Sequence, residues 1–157
     1  LDTTAPQIGE TFPKKEITIG APLRMVDAIL KDPQASSGAN GSGIDLQNSF
    51  IRLVFEGNDN VPAQDVNGVG FIHEPNNTDP TIPTYNPNDK YPKVLFELVD
   101  ETGHVTSLPE DGTWDGTYRL EVVAYDQAGN QVQGTTSFKY SAATTSPTTS
   151  PLEMFIP

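Results

Sequence analysis

Cysteine is absent from the 157 residues. That excludes a disulfide framework, a thiolate zinc site and a thiol nucleophile. Absence of cysteine is compatible with either redox compartment. Basic residues are scarce: 9 Lys and Arg stand against 21 Asp and Glu, a formal net charge of −12. A chain so acidic lacks the basic patch that nucleic acid or an anionic membrane surface attracts, and it is compatible with divalent cations. Long apolar runs are missing too. No segment approaches the roughly 18 residues a membrane-spanning helix requires. No basic stretch followed by an apolar one marks an export signal, so any such signal is expected outside this sequence. Helical periodicity is also missing, since no 3.6-residue apolar stripe of useful length occurs.

What the chain does contain is turn chemistry and short alternating segments. Its 14 prolines and 13 glycines suit many strands joined by turns. The clearest segment is 115–130, D-G-T-Y-R-L-E-V-V-A-Y-D-Q-A-G-N. There Tyr118, Leu120, Val122 and Ala124 alternate with Arg119, Glu121, Val123 and Tyr125 between two turns, the signature of a half-buried antiparallel strand. The same period predicts strands over Leu23–Lys31, with Val26, Ala28 and Leu30 inward and Asp27, Ile29 and Lys31 outward. It also predicts Phe50–Glu56, with Ile51, Leu53 and Phe55 inward; Lys93–Val99; and Val132–Tyr140. One or two edge strands are expected at Gln7–Phe12 and Glu16–Ile19, broken by Pro13, and a short one at Val69–His73. Seven strands at this spacing predict an all-β sandwich.

Residues 1–6 read as an interdomain junction and 7–140 as the sandwich domain. Within it, 57–92 is a long irregular insertion holding one short strand; five prolines in 74–92 rule out a regular ladder there. The Ser/Thr/Pro segment 141–151 reads as a linker and 152–157 as the start of a following module or a tail. The chain is therefore expected to be a piece of something longer.

D-T-T-A-P at 2–6, the S-G-…-S-G-I-D-L elements within 37–46 and the 115–130 motif together resemble the bacterial Ig-like modules of large surface and secreted proteins. Those modules share a sandwich with cadherin and fibronectin type III domains. The resemblance covers most of residues 2–140 and departs at the Pro/Asn-rich 57–92. It implies a seven-stranded antiparallel Ig-like β-sandwich in an extracellular or cell-surface, multi-domain, non-catalytic setting.

In such a sandwich the amino terminus and the loops after strands two, four and six gather at one end. They carry Asp2, Asp32, Asp45, Asp79, Asp89, Asp126 and Asn130. Ca²⁺ requires six to eight oxygen ligands, so Asp2, Asp45, Asp126 and Asn130 are candidate calcium ligands; no other cofactor is expected. Local Asx-turns are the competing account of each. No EF-hand spacing occurs. Tyr118 is expected in the core near the start of its strand, and Trp114 closes one end of the core or stacks on a sugar. His73 and His104 lie far apart, and Glu110/Asp111 sit in a turn that desolvates neither, so no enzyme is expected. The expected role is a structural spacer whose partners are neighbouring domains of the same polypeptide. The alternatives are glycan or protein recognition through the 74–92 insertion and the loop-bearing end, and an accessory domain of a secreted hydrolase. Neither nucleic acid nor membrane insertion is expected.

Overall fold

The structure, a computed structural model, describes residues 3–32, 43–73 and 91–143. Asp2, Asp79, Asp89, most of the 74–92 loop and the segments after Ala143 lie outside those residues.

Among the described residues two sheets pack face to face. Strands β1 (Gln7–Phe12), β3 (Met25–Lys31), β7 (Lys93–Leu98) and β6 (Gly68–His73) form a four-stranded sheet in the order β1-β3-β7-β6. A five-stranded sheet has the order β2-β9-β8-β4-β5, from β2 (Thr18–Ile19), β9 (Gln131–Tyr140), β8 (Gly116–Tyr125), β4 (Phe50–Phe55) and β5 (Gln64–Asp65). The sandwich thus has nine strands rather than the expected seven. Two differences account for this. The first predicted edge strand divides at Pro13, with β1 pairing antiparallel to β3 and β2 crossing to pair parallel to β9. The 57–68 turn cluster also contributes the two-residue β5 against β4. Strands this short carry no readable period; they exist because a neighbouring edge offers hydrogen bonds.

Alternation places the core as expected. Tyr118, Leu120, Val122 and Ala124 of β8 are buried against Val26, Ala28 and Leu30 of β3, Leu53 and Phe55 of β4, and Val94, Phe96 and Leu98 of β7. Asp27 lies on the outer face, as expected and as its register opposite Leu95 demands, yet it is only 5% exposed and makes interactions there. Leu95 and His73 on that same face are likewise buried, so this sheet is covered on both faces near its middle. A period-two pattern assumes one solvated face, and here that assumption fails.

Strand direction sorts the loops into two poles. The start of β1, the end of β3, the start of β7 and the β8–β9 turn share one pole, because Gln7 pairs with Lys31, Ile29 with Lys93 and Ile44 with Asp126. The β7–β8 connection and the end of β9 occupy the other.

Candidate functional site

At the amino-terminal pole the structure brings together three of the four candidate ligands, Asp45, Asp126 and Asn130; Asp2 lies outside the described residues. Ile44 forms a bridge to Asp126, and the Asp45 N–H donates to the Tyr125 carbonyl at 2.7 Å. This lashes the β3–β4 loop to the end of β8. Ser49 closes the same corner: its hydroxyl donates to the Asp45 carbonyl at 2.7 Å and accepts from the Tyr125 N–H at 3.0 Å. The Gln127 N–H donates to the Gly43 carbonyl at 2.8 Å, and the Gly43 N–H donates to the Asp32 carboxylate.

Asp126 is 1% exposed, and both of its carboxylate oxygens are engaged within the turn. Oδ1 accepts from the Asn130 N–H at 2.8 Å and Oδ2 accepts from Asn130 Nδ2 at 2.8 Å. The Asp126 N–H donates to the Asn130 carbonyl at 3.0 Å, and Gly129 takes φ +90° between them, which a glycine adopts without strain. Asp45 accepts from Asn48 Nδ2 at 2.7 Å. These carboxylates therefore do what Asx-turn residues do, holding local backbone through side-chain oxygens. Asp45, Asn48, Phe50, Tyr125 and Asp126 wall a recess of about 460 Å³. No group of three or more His, Asp or Glu among the described residues is arranged to hold a metal ion.

The opposite pole is aromatic. Tyr118 stacks on Phe55 at 4.8 Å and on Phe138 at 5.6 Å, with Tyr140 edge-on at 6.2 Å. Its hydroxyl donates to the Trp114 carbonyl at 2.6 Å, a bond from the start of a strand to backbone just upstream. Trp114 tilts against Phe55 at 5.2 Å and is partly buried, closing that end of the core. Tyr91 sits at the other pole with Lys31 Nζ 4.8 Å from its ring centre, so Trp114 and Tyr91 share no stacking platform. Asn58 was not anticipated as a structural residue. Its amide donates to the Thr113 and Asp115 carbonyls at 3.0 and 2.8 Å, while its oxygen accepts from the Asn60 and Val61 N–H groups. The only sequence signal was an asparagine following Gly57 in a turn.

Hydrogen bonds from Thr113 hold Asp111 below the usual carboxylate range, the opposite of what a general acid needs. Asp100 is lowered in the same way, first by the Thr102 hydroxyl and then by the His104 N–H. His73 lies beside the start of β7 and His104 beyond its end, so the two histidines occupy opposite poles. On the outer face of the five-stranded sheet Glu121 meets Arg119 at 2.8 Å and also pairs with Arg52. The Arg119 bond, foremost, lowers the Glu121 pKa.

No protein family matches this sequence, and neither does any curated protein. Among solved structures the fold is similar to PcoC, a methionine-rich copper resistance protein from Escherichia coli. The TM-score is 0.55 at 13% identity, over 88% of this chain and all (100%) of that one. CopC from Methylosinus trichosporium OB3b has a TM-score of 0.48 at 11% identity, over 88% of this chain and 96% of that one. The SrpA adhesin from Streptococcus sanguinis has a TM-score of 0.40 at 16% identity, over 91% of this chain and 61% of that one. At such identities the likeness to PcoC is one of fold, and the other two scores are too low to add to it. The comparison supports an all-β sandwich and does not place the chain among cadherin or fibronectin type III domains.

Proposed function

We propose that this chain is a non-catalytic Ig-like module that spaces and orients neighbouring domains of a surface or secreted protein. The observation that carries the reading is the path of the chain. It enters β1 at one pole, and β9 leaves from the other after ten residues, a module length of about 33 Å at the usual rise per strand residue. Strand order supports the Ig-like assignment. β1-β3-β7-β6 and β9-β8-β4 follow the ABED and GFC plan, and Tyr118 makes the upstream hydrogen bond of a tyrosine corner. The inter-sheet disulfide of antibody domains is not part of it, because the chain has no cysteine.

The edge of the sandwich suits mechanical duty. β2 runs parallel to β9, and the Glu16 N–H donates to the Ser137 carbonyl at 2.7 Å. The Lys139 and Ser141 N–H groups donate to Ile17 and Ile19, each at 2.9 Å. Tension applied through the two ends shears these bonds together instead of opening them one by one.

Copper, named for PcoC, is not supported here. Its preferred donors are thiolate, thioether and imidazole. This chain has two methionines, of which Met25 is buried and Met154 lies outside the described residues. Its two histidines stand at opposite poles.

Single-molecule pulling through the two ends tests the spacer reading. One cooperative unfolding event is expected, at a force that falls in Lys139→Pro, since proline has no N–H for the Ile17 carbonyl and Lys139 lies on an extended strand whose N–H faces β2. An unfolding force unmoved by that substitution, or specific binding on a glycan array, overturns the spacer reading in favour of recognition.

A further inference from the structure

Among the described residues the five-stranded sheet has a long open edge. There β2 accompanies β9 only at Lys139 and Tyr140, and no described strand pairs with Gln131 to Thr136 on that side. Which backbone groups face the opening follows from the bonds that β2 and its flanks do make. The Ser137 carbonyl and the Lys139 and Ser141 N–H groups all point outward. Outward and inward residues alternate along an antiparallel strand, so the N–H and C=O groups of Gln131, Gln133 and Thr135 also point outward. Proteins ordinarily blunt such an edge with lysine, proline, a bulge or extreme shortness. β1 has a register shift, and β2 and β5 are two residues each. Q-V-Q-G-T-T has none of these devices.

Beneath this edge a groove of about 430 Å³ opens between the two sheets, bordered by Ile8, Thr11 and Val122. Gly134 lets the sheets close on one another there: a Cβ at that position would stand 2.7 Å from Ile8 Cδ1. The hydroxyl of Thr136, which borders the same groove, is buried with no hydrogen-bond partner. Lys14 and Lys15 stand exposed at the rim, and among the described residues no ion pair engages either one, in a chain of net charge −12.

We propose that this edge and groove take up an extended peptide strand from a partner protein. The strand would continue the row begun by β2 and hydrogen-bond to Gln131, Gln133 and Thr135. Alternate side chains of an added strand face one way, so small aliphatic residues would enter the groove. An aspartate or glutamate at the end nearer Thr135 would meet Lys14 and Lys15. This proposal does not rest on the spacer reading, because Gln131, Gln133 and Thr135 make none of the β2–β9 bonds that reading uses.

Random nonapeptides displayed on phage and selected on the folded protein supply the probe. Enriched sequences are expected to alternate aliphatic with polar residues and to carry an acidic residue. An enriched peptide, synthesised and added to ¹⁵N-labelled protein, slows amide exchange at Gln131, Gln133 and Thr135 by tenfold or more. Gln133→Pro removes an outward N–H and no internal bond; it is expected to weaken that peptide's binding at least tenfold with the fold intact by amide spectrum. The pair Lys14→Glu and Lys15→Glu weakens it as well. Failure to enrich any peptide overturns the proposal. So does a peptide that leaves those three amides unprotected in the wild type, a measurement that needs no variant to fold.

Discussion

Replacing Asp126 separates a structural turn from a metal ligand. In Asp126→Ala the Asn130 N–H and Nδ2 both lose carboxylate acceptors 2.8 Å away, at a site where Asp126 is 1% exposed. Hydrogen bonds to a charged group contribute about 1.5–3 kcal/mol each. Asn130 is partly exposed and its amide can turn to water, so the two losses do not add in full; the expected destabilisation is about 2–3 kcal/mol. The backbone bonds between Asp126 and Asn130 survive and keep the turn in place. For a chain of this size that loss lowers the melting temperature by about 4–12 °C. Asp126→Asn keeps one acceptor for the Asn130 N–H, and a flip of the Asn130 amide pairs the rest, so its loss should be about 1 kcal/mol. Thermal denaturation of the three proteins, with and without millimolar calcium, measures both effects. A ligand that binds only the folded form raises its stability, so on this reasoning calcium shifts the wild-type midpoint by less than about 1 °C. A calcium-dependent rise that vanishes in Asp126→Asn would falsify the turn account and establish Asp126 as a ligand.

Three further outcomes follow from the packing. Thr136→Val replaces a buried, unpaired hydroxyl with a methyl of similar shape, and urea unfolding should show a gain of about 1 kcal/mol. An equal loss would mean the hydroxyl finds a partner in solution. Gly68→Ala would put a Cβ 2.6 Å from the Glu97 carbonyl and against the Phe96 ring, at a cost of about 1–3 kcal/mol by the same measurement; a neutral result would show that the β6 edge yields freely. Burial lifts the Tyr140 phenol from 10.0 to about 12, and burial raises Tyr118 as well. The unfolded chain then releases these protons first. Stability should hold below about pH 10 and fall as pH rises toward 12, a decline that Tyr140→Phe should lessen. A flat alkaline profile in the wild type would contradict it.

The strands with a full period were legible because each buries one face. Tyr118 through Ala124 and Ile51 through Phe55 point where their spacing required. The gathering of Asp45, Asp126 and Asn130 was legible too, since alternating strand direction forces it. What those residues do there was not. An aspartate in D-Q-A-G-N reads equally as a ligand or as a turn acceptor, and only the direction of the Asn130 amide distinguishes the two. Asp27 takes the outward place that alternation gives it and is buried there, because period two says which face a side chain takes, not whether that face meets water.

Taken by itself, the amino-acid order determined an all-β chain, the inward set of each long strand and the poles at which its loops meet. Those follow from local rules: turn residues break the chain and alternation orients it. Tertiary structure decided the rest. The sheet order put the two-residue β2 and β5 at opposite ends of the five-stranded sheet and, among the described residues, left Gln131–Thr136 open next to β2. An edge is a property of what is absent alongside a strand, and no local pattern within the strand records it.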